Sequence, residues 1–202
     1  MTYAELQSAI GDWLMRQDLT SVIPTFLKLA ESRFNREMRV RRMLTRATAT
    51  VVGQHTPLPT DFLEARNVVL NTSPVRVLEY VTLERADNIR ADRTQTTPWA
   101  FTISGGEIEI VPVVGDGTEI ELTYYAEIPA LSNSNTTNWL STRWPDVYLY
   151  GALMHSAPYL KDDERVAVWA GLHDRALEEI RLEDHKAQWS GSTLKIRSGS
   201  IG

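Results

Sequence analysis

The 202-residue chain has no cysteine, which excludes a disulfide scaffold, thiol catalysis and every cysteine-based zinc or iron–sulfur site. No run approaches the roughly twenty apolar residues that a membrane-spanning helix needs, so no membrane partner is expected. The first residues lack the basic-then-apolar pattern of an export signal. Histidine is scarce, with four copies at positions 55, 155, 173 and 185. His173 and His185 stand more than three helical turns apart, and no HExxH spacing occurs. The glycine pairs Gly105-Gly106 and Gly115-Asp116-Gly117 match neither a dinucleotide fingerprint nor a phosphate loop, and no serine sits in a G-x-S-x-G context. No catalytic residue, metal or cofactor is predicted.

What is present is enough apolar material for a core: 43% hydrophobic residues against 23% charged. The net charge of −5 speaks against wholesale nucleic-acid binding. That charge is uneven. Lys28 to Arg46 holds seven basic residues and two acids, whereas Lys161 to Lys186 holds five basic and eight acidic residues. These two stretches are expected to attract one another, within a chain or between copies. Glu178, Glu179, Glu183 and Asp184 are interspersed with Arg175, Arg181 and Lys186, the pattern of a solvated helix face laced with ion pairs.

The apolar periodicity predicts helices over 3–16, 22–39, 145–158 and 163–188. They are expected to pack around Phe26, Phe34, Trp169, Leu172 and Ile180. Between them the period changes to two. Thr45 to Val52 alternates, 53–59 reads as a turn, and 61–64 as a short helical turn or loop. Val68 to Leu70 and Val75 to Leu78 form a hairpin, and Thr82 to Arg90 a short helix. The clearest strands are 101–103, 107–112 and 119–125, with Glu107, Glu109, Glu119 and Glu121 on the face opposite the isoleucines. An antiparallel sheet of about five strands is expected. Residues 133–138 read as an exposed loop, and 190–202 as a tail too poor in apolar area to hold itself down. The fold class is therefore α+β. N- and C-terminal helices (1–44 and 131–189) form one bundle, 45–130 is an inserted antiparallel β-rich subdomain, and 190–202 is an extended tail.

Two segments stand out as interface candidates. Arg39, Arg41 and Arg42 form a basic cluster suited to an acidic protein surface or to the DNA backbone, without sequence readout. In the tail, Leu194 and Ile196 alternate with Lys195 and Arg197, so an extended strand presents two apolar side chains on one side and two cations on the other.

Several stretches carry a resemblance: IPTFLKLAESRFNREMRVRRMLTRATATV at 23–51, LPTDFLEARNVVLN at 58–71, LEYVTLERAD at 78–87, the long block from Glu121 to Trp169, and QWSGSTLKIR at 188–197. In this order and spacing the chain resembles the adaptor, or head-completion, proteins of tailed bacteriophages. The resemblance implies a subunit that forms a ring with copies of itself, commonly twelve, beneath the portal protein. It implies a downstream tail or nozzle protein as partner and a place at the head–tail junction of the virion after synthesis in the host cytoplasm. DNA passing through the channel is a possible non-specific contact. It further implies a C-terminal tail that orders on the portal, and it brings no catalytic residue. Two other classes stand beside it. A carbohydrate- or receptor-binding tail module would use Trp99, Tyr124 and Tyr125, and a lytic enzyme or nuclease accessory domain would need paired acids.

Overall fold

The computed structural model describes residues 1–16, 18–92, 94, 96–161 and 163–189. The chain is a mixed α+β protein with two compact units, one built from residues 1–37 together with those from 129 onward, the other from 38–128.

The first unit is helical. Helix α1 (Tyr3–Leu14) starts at a capping box in which Thr2 and Glu5 satisfy each other's backbone N–H, and it buries Leu6 and Ile10. Helix α2 spans Ile23–Glu37, with Pro24 in its first turn where no donor is lost. A short helix α4 (Trp139–Arg143) then leads into α5 (Pro145–Tyr159) and the long α6 (Asp163–Trp189). Helix α5 packs against all four other helices of the unit. Its sequence explains why: it is apolar nearly all round, burying Val147, Tyr148, Ala152, Leu153 and Ala157, and such a helix has no face for water.

The expected core needs correction on α6. His173, Ala176, Leu177 and Ile180 face inward, whereas Leu172 is 36% exposed. Trp169 is only half-buried. It lies at the rim, stacked on Tyr150 at 6.3 Å and edge-on to Trp13 at 5.6 Å. A helix shows its neighbour one stripe, and the shift of that stripe from 172 to 173 has a specific cause. Gly151 lets the imidazole of His173 approach α5, where it lies flat on Phe34 with ring centroids 5.8 Å apart.

Helix α4 lies in a stretch not expected to be helical, and the preceding loop is exposed as expected over most of its length, with Asn138 at its end the exception. Asn138 is buried as the N-cap, accepting from the Ser141 N–H at 2.7 Å. A polar residue serving as a buried cap looks, in sequence, like any loop asparagine.

The second unit is a curled sheet of seven strands: β1 (Leu44–Thr50), β2 (His55–Pro57), β3 (Phe62–Leu70), β4 (Arg76–Tyr80), β5 (Ala100–Ser104), β6 (Glu107–Val111) and β7 (Glu119–Ala126). Their spatial order is β1-β7-β3-β4-β5-β6-β2, antiparallel throughout except for the parallel pair β4–β5. Against the expected sheet of about five strands, β2 is new, lying inside the expected turn, and β3 is longer, beginning within the stretch expected as a short helical turn or loop. The β5–β6 turn uses Gly105 and Gly106 at φ 60° and 83°, the doubly left-handed geometry that matches strand twist. Ile108, Ile110, Ile120 and Leu122 fill the inner face. On the other face of β5 and β6 sits α3 (Leu83–Ala91), whose Ala86 and Ile89 cover Ala100 and Val111.

Gly151 yields a direct test. A Cβ there would come within 3.1 Å of the Ala30 Cβ, 3.3 Å of the Phe34 ring and 3.3 Å of the His173 ring. Gly151→Ala gains helix propensity yet is expected to lose about 1–3 kcal/mol from overpacking. The measurement is chemical denaturation, and an unchanged midpoint would mean that α2, α5 and α6 do not meet this closely.

Candidate functional site

The arginine cluster does not end a helix. Helix α2 stops at Glu37, whose carbonyl accepts from the Arg181 guanidinium of α6 at 3.1 Å, a cation on the negative end of the helix. Beyond it Met38-Arg39-Val40 is extended, with Met38 and Val40 buried and Arg39 partly exposed. A 3-10 turn, Arg41–Met43, then tucks Met43 inward and leaves Arg41 and Arg42 exposed. The period-two alternation of Met38 to Val40 is too short to register against the longer helical pattern before it. Arg39 donates through Nε to Glu64 Oε2 of β3 at 2.8 Å and through Nη1 to the Met38 carbonyl at 2.6 Å. Such a partly exposed pair is worth about 1 kcal/mol or less.

Three other basic residues of the stretch are engaged within their own unit, Arg36 with Ser32 at 2.7 Å among them. Arg33 reaches Glu37 at 2.7 Å, Asp174 of α6 at 3.1 Å and the Met154 sulfur of α5 at 2.8 Å. Arg46 lies 3.8 Å from Glu121. The attraction between the basic and acidic stretches is thus realised within the chain at Arg33 and Asp174. The carboxylates of α6 are likewise engaged: Glu179 with Arg175, Glu178 with Arg181, and Glu183 with Arg143 of α4. Among the described residues, no group of three or more His, Asp or Glu side chains is arranged to hold a metal ion.

Glu109 departs from its expected place on a wet face. It is 5% exposed beneath α3, accepting from Gln54 Nε2 at 2.8 Å, with Arg90 of α3 at 3.4 Å and His55 at 3.8 Å. Strand β6 alternates as if one face were solvated, and only the cover by α3 buries the other. The signal available in the sequence was Arg90, a cation on a helix otherwise turned toward the sheet. The aromatic set proposed for sugar binding is dispersed. Tyr124 is buried with its hydroxyl donating to Asp61 at 2.9 Å, and Trp99 packs beside α3.

Two buried polar features hold the helical unit. Glu31 of α2 accepts from the Leu131 N–H at 2.7 Å and from the Tyr148 hydroxyl at 3.3 Å. That hydroxyl accepts from Asn138 Nδ2 at 2.6 Å, and the same Nδ2 donates to the Pro129 carbonyl at 2.7 Å. Burial raises the Glu31 pKa, opposed by the bonds from Leu131 and Tyr148. The second feature is the pair His155 and His173, each with a buried Nε2 that has no hydrogen-bond partner.

Many charged side chains of the described residues pair with one another inside their own unit. A family model described as SU10 adaptor protein matches residues 1–197. The chain belongs to the SU10 adaptor family. The resemblance to tailed-phage adaptors carried by the quoted stretches therefore holds across nearly the whole chain, and the SU10 adaptors are structural phage proteins. Among curated proteins none matches the chain. Of the residues singled out in this adaptor from sequence, Arg39, Arg41 and Arg42 come together on one short connection. Leu194, Lys195, Ile196 and Arg197 lie outside the described residues. No helix of the described residues is long and apolar enough to cross a membrane.

The buried histidines generate a pH prediction. Burial lowers both pKa values, and the Arg33 charge adds to this, as do Arg36 and the second imidazole at His155, while Asp174 and Glu37 oppose it at His173. A histidine that stays neutral when folded binds fewer protons than its unfolded counterpart below the ordinary value of 6.5. Stability is therefore fully present above about pH 6.5 and falls as the pH drops through that value toward the lowered folded ones. Denaturation midpoints measured from pH 8 to 5.5 are expected to decline, and the His155→Asn, His173→Asn double variant to decline less. Equal slopes in the two proteins would refute the assignment.

Proposed function

We propose that this adaptor is a structural subunit of a bacteriophage head-to-tail connector, forming a ring beneath the portal and linking it to the tail. In this reading the helices of the first unit act as one bundle, and 190–202 is an extended arm that reaches a neighbouring molecule. Twelve copies, a portal protein above and a tail or nozzle protein below are the partners. The observation that carries the reading is the family match over residues 1–197. Two features support it. The ionic side chains of α6 are engaged in pairs along its surface, as suits a scaffold. The exposed Arg41 and Arg42 and the partly exposed Arg39 form a cationic ridge on a short rigid connection, anchored by the buried Met38, Val40 and Met43. Such a ridge suits an acidic surface on a neighbouring subunit or the portal, or the phosphates of DNA in the channel.

The test is the mass of the assembly, by native mass spectrometry or sedimentation, with and without the cognate portal. A portal-bound ring of about twelve copies is expected by family resemblance, and a chain that stays monomeric with portal present would overturn the reading. Charge reversal at Arg39, Arg41 and Arg42 is expected to weaken assembly, and more so at low salt, because contacts between exposed charges are screened as ionic strength rises. Arg41→Glu with Arg42→Glu spares the Arg39–Glu64 pair, and an unchanged denaturation midpoint in that double variant separates an interface effect from a folding one. Wild-type assembly and DNA retention in the triple variant would reduce the cluster to a solvated ridge.

A further inference from the structure

Strand β4 is shared unevenly by its neighbours. Its first half pairs with β3, from Leu70↔Arg76 to Val68↔Leu78, and its second half pairs with β5, at Glu79↔Ala100 and Tyr80↔Phe101. One more bond follows, from the Val81 N–H to the Phe101 carbonyl at 2.9 Å, and the chain then leaves the sheet at Thr82, the N-cap of α3. Strands β3 and β5 do not stop there. Residues 62–67 of β3 and 102–104 of β5 continue on either side of the lane that β4 has vacated. Each is paired on its far side, to β7 and β6. Toward the lane, no strand among the described residues pairs with either.

The lane is a cleft of about 370 Å³, lined by four consecutive β3 residues from Phe62 to Ala65 and by Tyr80, Phe101 and Ile103. Two register shifts of β3 against β7, at Phe62/Glu64 and Ala65/Asn67, bring these four consecutive residues to the cleft. The floor is the partly buried apolar surface of Phe62 and Ile103 against the sheet's core. Tyr80 is 63% exposed at its mouth. An open pair of edges over apolar surface is what β proteins ordinarily cover or pair.

We propose that this lane receives residues 193–197 of a second copy of the chain as an added β-strand. Opposite residues 62–67 strand β7 advances only from Ala126 to Thr123, so this edge spans roughly 10 Å at about 3.3 Å per residue, which the middle three residues of a five-residue extended segment cover. The occupant must have no proline and must carry apolar side chains two apart to meet the floor. Thirteen residues follow the end of α6 at Trp189, and they hold one such segment, Thr193-Leu194-Lys195-Ile196-Arg197. Leu194 and Ile196 turn to the floor while Lys195 and Arg197 turn to water, and main-chain bonds to both edges supply the rest. A strand given by one copy to the next is a heterologous contact, which propagates and closes into a ring where the rotation allows. The choice of a second copy rests on the ring reading above. Repetition around the ring makes a weak single contact cooperative.

A labelled peptide of residues 190–202 is titrated by fluorescence anisotropy onto the chain truncated after Trp189. Saturable binding is expected, weakened about tenfold or more when the peptide carries Leu194→Asp and Ile196→Asp, a change that leaves the folded protein untouched. No saturable binding, or equal affinity for both peptides, overturns the proposal. Because the native chain has no cysteine, full-length Ala65→Cys and Ile196→Cys chains mixed under oxidation report the source, and a disulfide between two copies is expected. Failure of that crosslink, alongside an intrachain disulfide in the double variant, overturns the second-copy assignment. Portal-bound rings of the truncated chain as stable as those of the full chain overturn the strand and leave the adaptor reading intact. A full chain that captures the peptide yet never joins a portal supports the strand and overturns the adaptor reading alone.

Discussion

A buried carboxylate on α2 reaches the backbone where the chain returns from the sheet, and the helical unit depends on that contact. The chain leaves the unit after Glu37 and re-enters at Pro129, so its two halves must find each other across nearly half the sequence. Glu31 and Leu131, 100 residues apart, do so through a 2.7 Å bond. The desolvation that raises the Glu31 pKa is a cost. It is offset because the carboxylate accepts two bonds, one of them from a tyrosine itself fixed by Asn138. Asn138 also caps α4, so the same network sets where α4 begins and how it feeds α5. Further stitches run the same way, from the Tyr3 N–H to the Thr136 carbonyl at 2.7 Å and from Arg33 to Asp174. Closing so long a loop costs chain entropy whatever the loop contains, and specific polar contacts at its base fix the register that apolar packing alone would leave loose.

That architecture suits an adaptor. The helical unit is discontinuous in sequence, and the sheet unit has buried apolar clusters of its own. The sheet has its own polar anchor in Glu109, Gln54 and Arg90 beneath α3. The cationic ridge of Arg39, Arg41 and Arg42 sits on the first residues of the sheet unit, held by three buried apolar side chains. Its position is therefore fixed by packing, with Arg39 also paired to Glu64.

Much of this was legible in the sequence because long periodic segments declare themselves. Helices α2, α5 and α6 and the hairpin from Ala100 to Val111 follow from spacing, Pro24, Pro145 and the Gly105-Gly106 turn. What was not legible turns on cover by another element. Glu109 alternates as a wet-face residue until α3 is placed over it, and Asn138 reads as loop until Tyr148 and Pro129 are brought beside it. Trp169 looks like core by size and spacing, yet it is only half-buried, packed beside Trp13 and Tyr150. Strand β2 is three residues long with a proline at its end, too short for any period to register. At the candidate site, the basic residues were plain from composition. The break of α2 at Glu37 that separates Arg33 and Arg36 from Arg39, Arg41 and Arg42 was hidden, because the break is enforced from α6 by Arg181.

The dependence of the helical unit on the Glu31–Leu131 contact has one direct readout, native-state hydrogen exchange at the Leu131 amide. Leu131 lies outside every helix and strand, so local structure gives its N–H no protection. If the contact closes the unit, that amide exchanges only through global opening, as slowly as the core amides of α5, and it speeds up together with them in Glu31→Ala. Exchange of Leu131 at the rate of an open loop, while α5 stays protected, would contradict the account.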